Sequence, residues 1–313
     1  MADSRRDRAV GAMLGLAAGD ALGTTLEFSA RDTLPRQTEI TGGGPFRLEP
    51  GVWTDDTSMA LALADSLAVA PHLDARDLMD RFIGWHAEGR YSPTGRCFDI
   101  GIATRSALER YRRSGDPVAG DADPWSAGNG SLMRLAPVAV RHHADETLAM
   151  EVARRQSETT HAAEACLEAC AWFARLLVRA INGLSRDDLL APGTWAGPEA
   201  VADIASGAWR DKGRSDIRSS GYVIHTLEAA VWCVAKASSF EEAVVEAVNL
   251  GDDADTVGAV TGQLAGAIWG ADAIPPRWRR VLAWEPQIVA QAQHLFEAGV
   301  RPMQDGRLPY RGD

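Results

Sequence analysis

The sequence predicts an all-α protein of more than ten helices, in a single domain spanning residues 1–313. Three observations lead there. Apolar residues recur at helical spacing along nearly the whole chain. Alternating strand patterns joined by hairpin turns are lacking, Phe46 to Trp53 being too short and too proline-broken to count. Neither a linker nor a repeat of roughly 30–45 residues divides the chain; the Gly/Asp/Ser-rich stretches near 41–51, 114–130 and 184–198 are loop-sized.

Element by element, the charged start Met1–Asp7 leads into an amphipathic segment. A helix carrying Met59 to Leu63 follows the polar run Trp53–Ser58, and Leu78, Met79, Phe82 and Ile83 share a face behind Asp74, an N-cap. Another helix carries Ile102 to Leu108. His142 and His143 fall between helical segments and read as surface residues. Leu167, Cys170, Phe173, Leu177 and Ile181 line one side of an Ala-rich helix. Ser239 and Glu242 form a capping-box pair ahead of Phe240, Val244, Val245 and Val248, with Gly251 where a C-cap glycine belongs. Gly258, Gly262 and Gly266, four apart on the helix after Thr256, let a neighbouring helix approach closely. The closing Arg311-Gly312-Asp313 reads as a chance tripeptide on a frayed end.

Composition sets the outer bounds. With 46% hydrophobic and 24% charged residues the chain is neither disordered nor fibrous. A net charge of −11 argues against a nucleic-acid coat, which needs many phosphate-neutralising cations. The start lacks a signal peptide's apolar core, and the most apolar stretch, 166–181, is interrupted by Glu168, Arg175 and Arg179. A cytoplasmic monomer without membrane contact is the expectation. Of the four cysteines, Cys166 and Cys170 share a helix face without a second pair to complete a zinc site, so reduced, buried thiols are expected.

Two short segments place acids where charge repulsion penalises them: Trp53-Thr54-Asp55-Asp56-Thr57-Ser58, directly before one helix, and Gly251-Asp252-Asp253-Ala254-Asp255-Thr256, directly before another. Each offers carboxylates and a threonine hydroxyl, the donors that hard divalent cations take. Either segment alone reads first as helix capping, and only the pair brings the two readings level. Together, some 200 residues apart in sequence, they could meet around a pair of Mg²⁺ or Mn²⁺ ions.

The wording goes further. Gly11 to Gly23 with Glu27-Phe28, Thr54-Asp55-Asp56-Thr57, Gly95-Arg96-Cys97-Phe98-Asp99-Ile100-Gly101, Gly128 to Arg134, Thr160-His161, Gly221-Tyr222-Val223, Asn249 to Gly258 and Ile274 to Trp278 stand in the order of the ADP-ribosylglycohydrolase family, which the sequence resembles from about Ala9 to Trp278. The resemblance implies an orthogonal helical bundle around a two-metal cleft, with Thr54, Asp55, Asp56, Asp253, Asp255 and Thr256 as metal ligands. It implies a hydrolase that frees ADP-ribose from an ADP-ribosylated protein or a small ADP-ribose conjugate. The N-glycosidic arginine linkage is the first expectation; a serine-linked or O-acetyl conjugate, or a non-catalytic ADP-ribose reader, are the alternatives.

Two cations there would hold the ribose hydroxyls, draw charge from the ring and activate a water. Asp99 matches the family's carboxylate for the oxocarbenium-like step at C1″, against an N-cap role for the following helix. Glu27 matches an acid on a mobile segment, against a solvated turn. Gly128-Asn129-Gly130-Ser131, a flexible loop opening a helix, presents N–H groups to a diphosphate. His161 matches a substrate contact and Tyr222 an aromatic wall for adenosine. Asp252 stands where the family has glycine, adding a carboxylate of open role.

Overall fold

The computed structural model describes residues 2–300, so the Arg311–Asp313 tripeptide lies outside the described residues. In chain order its fourteen helices are α1 (Ala2–Gly23), α2 (Asp55–Val69), α3 (Ala75–Glu88), α4 (Ile102–Ser114), α5 (Ala136–Arg141), α6 (Glu146–Glu158), α7 (Glu164–Ile181), α8 (Arg186–Leu189), α9 (Glu199–Ser206), α10 (Val223–Lys236), α11 (Phe240–Val248), α12 (Ala254–Trp269), α13 (Pro276–Val281) and α14 (Glu285–Val300). Among the described residues there is no strand; Gly43 and Leu48 form an isolated bridge, and 46–53 stays turn and loop. No described helix is long and apolar enough to cross a membrane.

The centre is a pair of antiparallel helices. α1 and α12 lie so close that glycines interlock along both: Gly11 faces Gly266, Gly15 faces Gly262, and Gly19 faces Gly258. A methyl group built on any of these six would lie closer than 3.0 Å to a backbone oxygen across the interface. The glycine spacing on α12 therefore does bring a helix in closely, and α1 supplies the matching spacing. From Ala9 to Gly23, α1 is buried on all sides rather than amphipathic, because α12 takes one face and α2, α5, α7, α11 and α14 pack against others.

Capping explains several boundaries. Asp74 accepts from the N–H groups of Arg76 and Asp77 at 2.9 and 3.2 Å and starts α3 as expected. Ser239 accepts from the Glu242 N–H at 3.1 Å, but the Glu242 carboxylate turns to Ser238, so the reciprocal half of the box sits one residue earlier. Gly251 is not the C-cap of α11, which ends at Val248; its positive φ of 71° serves the acidic loop beyond.

His142 and His143 are buried, contrary to the surface reading. Burial pushes His142 down to about 4, leaving it neutral. His143 stacks on Phe296 at 4.2 Å while Nδ1 meets the Val140 carbonyl at 3.0 Å. A neutral imidazole paired in this way is an ordinary core group, which the polarity of a His-His pair conceals.

Candidate metal centre and cavity

Because α1 and α12 run antiparallel, the end of α1 and the start of α12 lie together, and the start of α2 joins them. Asp55 and Asp56 occupy the first turn of α2 and Asp255 that of α12 rather than preceding them, whereas Asp252 and Asp253 do precede α12, Asp253 as its N-cap. Two helix N-termini thus aim their positive ends at the same acidic cluster. Asp20, fully buried on α1, ties the arrangement. Its carboxylate accepts from the Thr54 and Thr57 N–H groups at 2.9 and 3.0 Å and from their hydroxyls at 2.9 and 2.6 Å.

The two segments meet. Thr54 Oγ1 lies 3.3 Å from Asp255 Oδ2 and 3.4 Å from Asp56 Oδ2, and Thr256 Oγ1 lies 3.4 Å from the same Asp56 oxygen. Glu27, Asp253 and Asp255 offer carboxylate oxygens that all fall within 4.8 Å of one another. Glu27 is buried, not a solvated turn acid, and accepts from the Ala254 and Asp255 N–H groups at 2.8 and 3.3 Å. Asn129 Nδ2 donates to Asp253 at 2.7 Å and to Thr226 at 2.8 Å, fixing the orientation of Asp253. Asp56 Oδ1 is buried with no hydrogen-bond partner. Five carboxylates, one of them with an orphaned oxygen, and two threonine hydroxyls form a hard-oxygen set that suits a divalent cation.

The electrostatics carry the same message. Burial, then the charge of Asp255, pushes Asp20 and Asp253 up to about 7; burial and the Asp99 charge do the same to Asp255. Burial lifts Asp99 to about 6. Asp55, Asp56 and Glu27 are pushed well above the carboxylate range, burial again leading. Without a cation the folded state therefore holds protons up to about pH 7 that the unfolded chain releases near its ordinary carboxylate pKa of 3.8. The folded state binds more protons across that window, so chelator-stripped protein loses stability as pH rises through it. A bound cation replaces the protons and reverses the loss. At a hundredfold excess over Kd, Mn²⁺ is expected to raise Tm at pH 8 by about 5–10 °C, and by much less at pH 5.5. The contribution of His142, whose lowered pKa acts from pH 6.5 down to about 4, is common to both forms and cancels in the difference. Scanning calorimetry at both pH values checks it; a gap that does not widen with pH rules out a carboxylate metal centre.

Above the acids opens a cavity of about 580 Å³. Its lining joins the acids Glu27, Asp55, Asp99, Asp252, Asp253 and Asp255 to Thr256, Thr104, Gly128, Asn129, Gly130, Met133 and His161. No lysine or arginine is among its lining residues within the described part of the chain. Asp99 does not cap α4, whose N-cap is Gly101; it sits in the left-handed region at φ 59°, close enough to Asp255 for the two charges to repel. Asp252, at φ 62°, is an exposed lining residue, and its conformation is one that glycine adopts freely and aspartate tolerates.

The remaining candidates divide. The Gly128–Ser131 segment is pinned, not flexible: Asn129 N–H donates to the Gly221 carbonyl at 3.1 Å, and Val223 N–H to that of Ala127 at 3.1 Å. The Ser131 hydroxyl points into the core, accepting from Ser157 at 2.7 Å, and its side chain does not line the cavity. His161 is buried at the cavity wall. Tyr222 pairs with Gly128 through its backbone and sets its exposed ring edge-on to His225; the cavity meets Gly221 instead. Cys166, Cys170 and Cys233 are buried free thiols, and Cys97 is half-buried.

Three residues that matter here escaped the sequence reading. Asp20 is a lone acid inside the apolar run Met13–Leu22, a signal visible in principle. Phe28 is 68% exposed at the cavity rim, left-handed at φ 60°, its ring against Phe46, which in turn meets Phe98 beside Asp99. Arg134 is fully buried behind the His161 wall.

A family model described as ADP-ribosylglycohydrolase matches residues 1–304. The ADP-ribosylarginine hydrolase Tri1 of Pseudomonas putida is 45% identical over 291 residues, covering 93% of this chain and 78% of that protein. A Rhodospirillum rubrum glycohydrolase named for ADP-ribosyl-dinitrogen reductase is 36% identical, covering 88% of this chain and 90% of its own. A solved structure titled as an ADP-ribosylglycohydrolase-related protein complex superposes with a TM-score of 0.85 at 44% identity, covering 95% of this chain and 99% of that one.

Proposed function

The chain belongs to the ADP-ribosylglycohydrolase family, and from that premise we propose that it hydrolyses the N-glycosidic bond between ADP-ribose and an arginine side chain of a modified protein. The observation that carries this reading is the convergence of the two acid–threonine helix starts with Asp99 at one cavity. The similarity to a hydrolase named for ADP-ribosylarginine supports the linkage.

In this reading Thr54, Asp55, Asp56, Asp253, Asp255 and Thr256 hold two Mg²⁺ or Mn²⁺ ions, Asp56 Oδ1 being the oxygen that lacks any other partner. When bound, the ions supply Lewis-acid polarisation and charge stabilisation at the ribose. Asp20 keeps both threonines and the start of α2 in register. Asp99 exchanges the proton that cleavage at C1″ requires, with the leaving arginine nitrogen or the attacking water. Glu27 bridges the acids to the start of α12, and the neighbouring Phe28 offers a ring face at the cavity mouth. The diphosphate lies against Gly128 to Gly130, where the N–H group of Gly130 has no acceptor among the described residues. The protein acts as a single-domain monomer in the cytoplasm.

The test incubates ADP-ribosyl-arginine and ADP-ribosyl-serine peptides with the protein and Mg²⁺ or Mn²⁺. ADP-ribose is expected from the arginine peptide, at least about tenfold faster than from the serine peptide. The reverse preference points to an O-linked substrate. Release from neither, with tight ADP-ribose binding, makes the protein a reader.

A further inference from the structure

Arg134 carries a full charge that no carboxylate contacts; the Asp55 charge reaches it only at a distance. It is completely buried, its ring of acceptors neutral: Gln156 Oε1 at 2.8 Å, the Gln156 carbonyl at 2.9 Å and Thr160 Oγ1 at 2.9 Å, with the guanidinium 4.6 Å above the Phe82 ring. Burial lowers its pKa only to about 9, so it stays cationic at neutral pH. An interior cation without a paired carboxylate is costly and rarely retained without a use.

Its contact with Thr160 fixes a proton further on. A guanidinium only donates, so Thr160 Oγ1 accepts from Arg134 and must send its own hydrogen elsewhere. The acceptor within reach is His161 Nδ1, at 2.8 Å. Were Nδ1 protonated instead, the buried hydroxyl hydrogen of Thr160 would have no acceptor among the described residues, at the cost of a stranded donor. The ring therefore carries its hydrogen on Nε2. That atom faces the loop: a methyl group built on Gly130 would lie 3.0 Å from it and one on Gly128 3.4 Å. Nε2 has no hydrogen-bond partner among the described residues, and His161 lines the cavity.

We propose that Arg134 is a positioning residue which, through Thr160, locks His161 as a neutral Nε2–H donor to an anionic substrate group at the Gly128–Gly130 loop. This rests on the reading of the cavity as an ADP-ribose site, whose diphosphate is the anion. Burial and the neighbouring Arg134 charge hold the imidazole neutral, its pKa lowered to about 3, so the donor does not titrate across the working pH range. The arrangement answers a difficulty of the site. The lining is acidic and lacks cations, yet must accept a diphosphate. A neutral donor backed by a buried cation supplies positive potential without placing a charge that the acids would capture.

The test reads the tautomer directly. In full-length protein labelled with ¹⁵N-histidine, long-range ¹H–¹⁵N correlation at pH 7 is expected to show His161 with Nε2 protonated and Nδ1 bare, assigned by its loss in His161→Gln. Thr160→Ser, which keeps the hydroxyl, is expected to preserve that signature and the affinity for ADP-ribose. Thr160→Val removes the link; its His161 signal is expected to become a mixture of tautomers, and ADP-ribose to bind roughly tenfold more weakly. A wild-type His161 protonated at Nδ1, or at both nitrogens, overturns the proposal without recourse to any variant. Wild-type affinity in Thr160→Val overturns the donor role. Failure of the wild type to bind ADP-ribose at all ends the reading of the cavity and the donor role with it, while the tautomer spectrum separately reports whether the relay exists.

Discussion

Asp255→Ala is expected to slow release of ADP-ribose from an ADP-ribosyl-arginine peptide by at least about 10³-fold, a loss of roughly 4 kcal/mol of transition-state stabilisation. The size follows from the place of this carboxylate. It meets Thr54 from the α2 start, its N–H donates to Glu27, its charge acts on Asp20 and Asp253, and its carboxylate clusters with those of Glu27 and Asp253. Asp55→Ala, at the opposite segment, is expected to fall by a comparable factor. The stability of these variants is expected to move the other way. With one acid gone from a buried, mutually repelling set, metal-stripped Asp255→Ala protein resists urea better than the stripped wild type at pH 8, and it loses the Mn²⁺-induced gain in Tm. A merely structural aspartate gives the opposite pattern, lower stability with little change in rate. Rates within about tenfold of wild type for both variants remove the two-metal reading.

Much of the site was legible because its residues are the kind whose cost demands an explanation. Paired aspartates beside threonines, twice, have few cheap explanations, and the helix starts that carry them could be read from the apolar runs that follow. What failed was position within the element. Asp55, Asp56 and Asp255 sit inside a first turn, where a carboxylate gains from the helix dipole, and only Asp252 and Asp253 precede their helix. Side-chain direction was the other blind spot. Ser131 and Tyr222 belong to segments that do face the cavity, yet one hydroxyl turns inward and one ring outward. Sequence spacing locates a backbone and leaves such choices to packing. Asp20 and Arg134 escaped for a related reason: each is one charge in an apolar stretch, and its partners, Thr54 and Thr57 or Gln156 and Thr160, come from distant parts of the chain.

The glycines show how far the fold and the site are one problem. On helix propensity alone, replacing Gly262 by alanine should stabilise α12 by about 1 kcal/mol. The expected result is a loss of about 3 kcal/mol or more, because the added methyl group meets the Gly15 backbone and neither helix can yield without moving the other. Gly15→Ala is expected to cost about as much. The double variant is expected to cost less than the sum, since one widening of the α1–α12 gap relieves both clashes. Gly101→Ala, at an ordinary φ of −61° with nothing within 4 Å of the new carbon, is the control and should stay within about 1 kcal/mol. Urea denaturation at pH 7 measures all four. The widening also has a chemical consequence. Asp20 rides on α1, and Asp255 and Thr256 ride on α12, so pushing the helices apart separates the groups that hold Thr54 between them. Gly262→Ala should therefore weaken Mn²⁺ binding by about tenfold or more even at temperatures where the protein remains folded. Additive losses in the double variant, or unchanged Mn²⁺ affinity in folded Gly262→Ala, would show that the glycine contact serves packing alone.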